Sequence, residues 1–389
     1  RCLVFWKKKF SHLSVEHIEL SETIQKHFDS TFEIFKQFQN NLNSGFSDQD
    51  RFEITKALGE AGGNYRKEIY ELSFLGNGKQ VSTKKLTEFC NLALKYIDQS
   101  VAANKRTDGL FHAYNLISFS GDNIKIRYLY EMLEGQVAFL SSGYATTEGS
   151  LQVLDALKSS KMFRQDQFSY LLYPDRQLPR FTEKNNIPNN KISEIGLLTK
   201  LVEDRNTSII VQDITGNLHF NASFRNGMML EKALETLKDG TYKEWVERDG
   251  EKVLRLYESI FDHQSFTGRS GTFYGYEGLG SIYWHMVSKL LQATQEVYFR
   301  GIEKGADSDI LNRIKDHYYE IKAGIGLYKS PDIYGAFPTD AYSHTPANAG
   351  VKQPGLTGQV KEDVISRIFE LGIQIKQGQI CFDPTLLNG

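Results

Sequence analysis

Two acids stand in stretches rich in glycine and aromatic side chains, and these are where the chain could do chemistry. Glu277 lies in GRSGTFYGYEGLGSIYWHM, residues 268–286, among glycines 268, 271, 275, 278 and 280. Asp340 lies in FPTDAYSH, residues 337–344. Cleavage of a glycosidic bond needs one carboxylic acid to protonate the leaving oxygen and a second carboxylate to act as base or nucleophile. An aromatic, partly dry surrounding raises the pKa of the first, so that it keeps its proton near neutral pH. Glu277, between Tyr276 and Gly278, fits the acid; Asp340 fits the base, or the group that orients the attacking molecule. Asp108, in DGLFHAYN (residues 108–115), and Asp213 are secondary candidates. Each of these acids has a structural alternative, a helix cap or a loop hydrogen bond.

Around the acids, Arg269, His344, Lys352, Gln353 and Lys361 carry polar groups for sugar hydroxyls, and the basic ones among them suit an anion such as inorganic phosphate. Tyr274, Tyr276, Trp284 and Tyr342 offer ring faces on which a pyranose can pack, although a helical Trp284 serves a core equally well. Asp108, His112 and Asn115 form a further polar cluster for substrate. Tyr342 with His344 would also suit a polysaccharide lyase, but a cleft for uronic acids needs more positive charge than these residues supply. No GxGxxG after a strand, GxxxxGK[ST], HExxH or GxSxG is present, so no cofactor is expected. His112, His285, His317 and His344 are not spaced as a metal-binding set.

Composition narrows the partners. Among 389 residues, 46 Lys and Arg against 48 Asp and Glu give a formal charge of −2, which makes no electrostatic case for nucleic acid or an acidic membrane surface. No apolar run reaches transmembrane length, and the start lacks the apolar core of a signal peptide. The expectation is a soluble protein, cytoplasmic or periplasmic, whose start at Arg1 rather than Met reads as processed, tagged or partial. Cys2, Cys90 and Cys381 are too scattered for a disulfide scaffold or a cysteine zinc site. An aromatic content of 12% favours a sugar cleft as readily as a core.

Apolar periodicity supplies the elements that must hold these residues. It predicts helices over 14–42, 86–101, 127–140, 150–158, 166–172, 195–204, 227–239, 242–261, 281–300, 307–323 and 359–369. The last of these places Val360, Val364, Ile365 and Ile368 inward. GEAGGNYRKEIYE within 51–80 reads as a glycine-punctuated loop, 174–193 as a surface loop and 324–357 as a long irregular stretch. Hairpins are expected around Thr215-Gly-Asn and around Lys376-Gln-Gly. Polar segments always fall between paired helices, and no fixed-period repeat is present. The pattern points to a mainly α protein: an (α/α)6 toroid with a short C-terminal β-hairpin. The divisions would be an N-terminal helical linker over 1–50, a catalytic toroid over 51–370 and the hairpin over 371–389.

Two segments carry a family resemblance. YEGLGSIYWHM (276–286) resembles the segment that opens a barrel helix in cellobiose-phosphorylase-like (α/α)6 glycosidases and phosphorylases. GIQIKQGQICFDPTLL (372–387) is similar to their closing strands, where a glycine turn precedes a hydrophobic-Asp-Pro segment. The resemblance implies the toroid fold and a β-linked glucan or oligosaccharide substrate. A β-sandwich usually precedes the toroid in that group, and only the N-terminal helix would stand in its place here. The group's Trp-Asn-Asp-Gly catalytic segment is absent, so no catalytic residue is carried over. The expected activity is glycosidic cleavage with inversion, by water or by phosphate. The alternative is a non-catalytic helical toroid that binds a polysaccharide, in which Glu277 and Asp340 would stand more than roughly 12 Å apart, outside the inverting range.

Overall fold

A computed structural model of the chain describes residues 1–72, 78–174, 177, 179–262, 282–327, 356–376 and 378–387. It is mainly helical, with small two-stranded antiparallel sheets. One compact unit comprises Arg1–Lys158 and Ala293–His317; the other comprises Ser159–Gln292 and Tyr318–Gly389.

The first unit runs through α1 (Cys2–His12), β1 (His17–Ser21), α2 (Glu22–Gln37), α3 (Asn41–Ser44), α4 (Asp48–Leu72), β2 (Gly78–Ser82) and α5 (Thr83–Ala103). It continues through β3 (Leu116–Phe119), β4 (Ile124–Arg127), α6 (Leu133–Ser142) and α7 (Thr147–Lys158). The helix expected from residue 14 begins only at Glu22, because His17–Ser21 pairs with Gly78–Ser82 as a strand. Each strand of that pair ends in a serine that caps the following helix: Ser21 Oγ accepts from the Ile24 N–H at 3.4 Å, and Ser82 Oγ from the Lys85 N–H at 3.2 Å. Rings then join α2 to α5. Phe28, Phe32 and Phe35 pack on Phe89, and Phe35 stacks on Tyr96 at 4.8 Å. The Tyr96 hydroxyl donates to the Phe35 carbonyl at 2.6 Å, and burial pushes its pKa up to about 12.

The glycine-rich GEAGG is not a loop; α4 runs straight through it. Ile54, Leu58, Ala61, Tyr65 and Ile69 lie half-buried at helical spacing, and that stripe outweighs the helix-breaking cost of three glycines. Tyr65 stacks on His27 of α2 at 4.7 Å, and Lys26 meets Glu68 at 2.9 Å. The helix expected from Arg127 also starts later, at Leu133. Ile124–Arg127 alternates with period two and pairs with β3 across a turn in which Gly121 takes a positive φ of 56°. Gly143, at φ 79°, ends α6.

The second unit contains β5 (Phe163–Arg164), β6 (Ser169–Tyr170), α8 (Phe181–Lys184), α9 (Asn189–Glu194), α10 (Gly196–Glu203), β7 (Ile210–Gln212), β8 (Leu218–Phe220), α11 (Gly227–Lys238) and α12 (Lys243–Phe261). The chain continues with α13 (Trp284–Glu303), α14 (Ser308–Lys322), α15 (Leu356–Glu370), β9 (Ile373–Lys376) and β10 (Gln379–Phe382); α13 and α14 contribute residues to both units. Both expected hairpins form, as β7–β8 and β9–β10. Residues 166–172 are a 3-10 turn and strand β6 rather than a helix. The expected surface loop over 174–193 instead holds α8 and α9, whose Ile192, with Ile187 between them, is buried with Leu197, Leu198, Leu201, Leu230 and Val253. Asn185 pins that segment down: its amide donates to the Phe220 carbonyl at 2.8 Å and accepts from the Phe220 N–H at 2.9 Å. Asp249, 1% exposed, joins α12 to the start of α10 by accepting from the Leu197 N–H at 3.1 Å.

The face of α15 is the largest departure from expectation. Val364 and Ile368 are exposed, while Glu362, Ser366 and Glu370 are buried at intervals of one turn. Glu370 accepts from the Tyr318 hydroxyl and from Arg367 Nη1, both at 3.1 Å, and pairs with Lys322. A buried carboxylate with three donors overrides the apolar pattern of the sequence. Val360 has no described side chain.

Gly59, Gly62 and Gly63 have nothing within 4 Å of an added Cβ, so each Gly→Ala change raises stability by about 0.5–1 kcal/mol in urea unfolding. Gly135→Ala does the reverse, because its Cβ would stand 2.6 Å from that of Ala113. Burial alone would raise the Asp249 pKa, but Arg248, Lys252 and the Leu197 N–H bring it from 3.8 down to about 2. The stability it contributes is therefore present above its ordinary pKa and lost as pH falls from about 4 to about 2. An acid titration of Asp249→Asn should lack that component.

Candidate functional site

Of the residues singled out in the sequence, Glu277, Asp340, Arg269, Tyr274, Tyr276, Tyr342, His344, Lys352 and Gln353 lie outside the described residues. Asp108, His112, Asn115, Asp213, Trp284 and Lys361 lie within them.

In the first unit, residues 104–115 make a tight excursion from the end of α5. The Arg106 N–H donates to the Leu110 carbonyl at 2.8 Å, and Gly109 turns the chain at φ 85°. Asp108 serves this turn. Its carboxylate takes a two-pronged contact from Arg106 at 2.8–3.1 Å and accepts from the Leu110 N–H at 3.1 Å. The Arg106 contact holds it below the usual carboxylate range. Asp108 is thus a committed anion rather than a proton donor.

His112 and Asn115 sit on the far side of that turn. The His112 ring stacks on Tyr128 at 4.3 Å, and its Nδ1 lies 3.2 Å from the Leu129 carbonyl. A carbonyl only accepts, so Nδ1 carries the proton and Nε2 keeps its lone pair. Burial pushes the His112 pKa down, which favours this neutral form. Asn115 donates to Asn104 Oδ1 at 2.6 Å, while its own Oδ1 is buried without a hydrogen-bond partner. Tyr114 between them adopts φ 55°, an uncommon left-handed backbone for a bulky side chain and a source of strain beside these polar groups. His112 and Asn104 line a cavity of about 410 Å³ walled by Tyr96, Val101, Phe111, Ala113, Gly135 and Phe139.

One residue that sequence reasoning missed holds this arrangement. Gln136 of α6 is fully buried; its Oε1 accepts from the Phe111 N–H at 3.0 Å, and its Nε2 donates to the Phe111 carbonyl at 2.9 Å. A side-chain amide thereby satisfies both backbone groups of the residue preceding His112. A glutamine inside an otherwise apolar helical stripe was the available signal.

In the second unit, Trp284 is buried and packs as a core residue. Beside it, Tyr283 and His285 make a polar group with Glu362 of α15. The Tyr283 hydroxyl lies 3.3 Å from His285 Nδ1, and His285 Nε2 lies 3.5 Å from Glu362 Oε1. Lys361, which sequence reasoning assigned to anions or hydroxyls, contacts Glu362 at 3.2 Å. Burial, aided by the charges of Lys289 and Lys361, pushes the His285 pKa down, against the pull of Glu362. Asp213 closes the β7–β8 turn, accepting from Thr215 and Asn217, and is held well below the usual carboxylate range, chiefly by the Thr215 hydroxyl. Among the described residues, no group of three or more His, Cys, Asp or Glu is placed to hold a metal, and no helix is long and apolar enough to cross a membrane.

Replacing Gln136 by Leu should strand the Phe111 N–H and carbonyl in an apolar setting and cost about 2–3 kcal/mol, read from urea unfolding. Unchanged stability would mean that water serves Phe111 instead.

A family model described as GH149 phosphorylase insertion domain 2 covers residues 178–264, from just before α8 to just past α12. That is the stretch whose core gathers Ile187, Leu197, Leu230, Val253 and Phe261. The match relates the chain to a glycoside phosphorylase family through this one insertion domain. No curated protein matches the chain.

Proposed function

We propose that the chain belongs to a carbohydrate-active enzyme that cleaves a glucan or oligosaccharide with inorganic phosphate as the attacking group. The observation that carries this reading is the match of residues 178–264 to a phosphorylase insertion domain. Hydrolysis and phosphorolysis share the need for an acid at the leaving oxygen and differ in what attacks the anomeric carbon. In our reading Glu277 protonates the leaving oxygen, and Asp340 orients the attacking group. Arg269, His344 and Lys352 neutralise the phosphate, while Tyr274, Tyr276 and Tyr342 pack on sugar rings. Gln353 hydrogen-bonds substrate. The helices of 51–370 would close as an (α/α)6 toroid; consecutive helices that pack together, α6 on α7 and α11 on α12, support that architecture.

The test is product analysis on a panel of β-linked oligoglucans with and without phosphate. Sugar phosphate should appear only when phosphate is present, and Glu277→Gln should lower kcat by a factor of about 100 or more. Free sugar released equally without phosphate would restore the hydrolase. Binding without cleavage by both wild type and Glu277→Gln would leave a polysaccharide-binding module.

A further inference from the structure

We propose that the cavity beside His112 binds an uncharged aromatic molecule that donates a hydrogen bond. Its volume of about 410 Å³ falls within the roughly 300–1,000 Å³ of small-molecule pockets. The walls come from the C-terminal half of α5, from residues 111–113 and from α6, all in the first unit. Phe111 and Phe139, stacked with centroids 3.8 Å apart, supply aromatic surface for a ring to pack on. Gln136 fixes that wall, because it holds both backbone groups of Phe111. Ile97, Ser100 and Ala138, which also line the cavity, are exposed, so it opens to solvent.

The polar atoms of the lining decide the rest of the ligand's chemistry. The Tyr96 hydroxyl donates to the Phe35 carbonyl, Ser100 to the Tyr96 carbonyl and Ser142 to the Phe139 carbonyl, so no wall hydroxyl has a hydrogen left to give. His112 is different. Its Nδ1 hydrogen goes to the Leu129 carbonyl, which leaves the Nε2 lone pair as an acceptor on offer to the cavity. Burial pushes the His112 pKa down, so that lone pair stays free near neutral pH. Among the described residues, the lining holds no carboxylate, ammonium or guanidinium group. An anion would meet the imidazole lone pair and the negative end of the α5 dipole, since Val101 and Asn104 at that end belong to the wall. An ammonium group would find no carboxylate. A sugar is a poor match, because its hydroxyl oxygens face outward on every side and the wall hydroxyls have nothing to donate to them. What fits is a neutral ring with one N–H or O–H. This inference stands apart from the phosphorolysis reading, which uses none of the lining residues.

The probes are indole, the anion indole-3-acetate, and benzofuran, in which oxygen replaces the N–H in a ring of the same shape. Calorimetry on the full chain should show indole binding roughly three- to tenfold more tightly than benzofuran, the span of one hydrogen bond. Indole-3-acetate should bind more weakly than either. His112→Asn keeps a donor for the Leu129 carbonyl and removes the Nε2 acceptor. It should lower indole to the affinity of benzofuran and leave benzofuran unchanged; an equal loss for both probes would reduce His112 to packing and overturn the proposal. The wild type gives a reading that needs no variant. In nitrogen-15 NMR the His112 Nε2 signal should move on addition of indole and stay in place with benzofuran. Benzofuran or indole-3-acetate bound as tightly as indole, or no binding of indole, would overturn the proposal. So would displacement of indole by a β-linked oligoglucan, which would make the cavity a sugar subsite.

Discussion

Burying the Glu370 carboxylate is the constraint that orients the C-terminal part of the second unit. With Tyr318, Lys322 and Arg367 supplying donors, this acid can stay inside, and removing one partner would leave a charge stranded. Residues four apart share a helical face, so anchoring position 370 also turns 366 and 362 inward. Glu362 consequently faces His285, and the apolar Val364 and Ile368 are left outward. One electrostatic anchor therefore decides which polar atoms are available two turns away.

The two polar groups solve different problems. Around His112, the cavity walls are largely apolar and several polar lining groups are already engaged: Tyr96 with the Phe35 carbonyl, Ser142 with the Phe139 carbonyl, Asn104 with Ser100 and Asn115. That leaves the His112 Nε2 lone pair as an acceptor on offer to the cavity. Around His285, by contrast, titratable side chains from two helices converge, with Lys361 and His285 both beside the Glu362 carboxylate.

Legibility in the sequence followed the range of the deciding interaction. Helices α5, α10 to α14 and both glycine-turned hairpins were readable because their apolar spacing or turn chemistry is local. Strand β1 was not, since its partner β2 lies beyond three helices. GEAGG looked like a loop because glycine was weighed without the half-buried stripe around it. The inward face of α15 was misread because Lys322 and Tyr318, which make burial of Glu370 tolerable, come from α14. For the same reason Glu362 and His285 attracted no notice as a pair, whereas Asp108 and Asp213 did and proved to hold their own turns.

The β1–β2 pairing also bears on how the first unit is made. Its strands flank α2, α3 and α4, so closing the ladder carries the loop entropy of the whole intervening segment. Within that interval α2 packs on α4, a contact of shorter sequence separation than the ladder itself. The ladder is then a late event on the folding route, and a nascent chain emerging from the ribosome would hold β1 as an unpaired edge until residue 82 has cleared the exit.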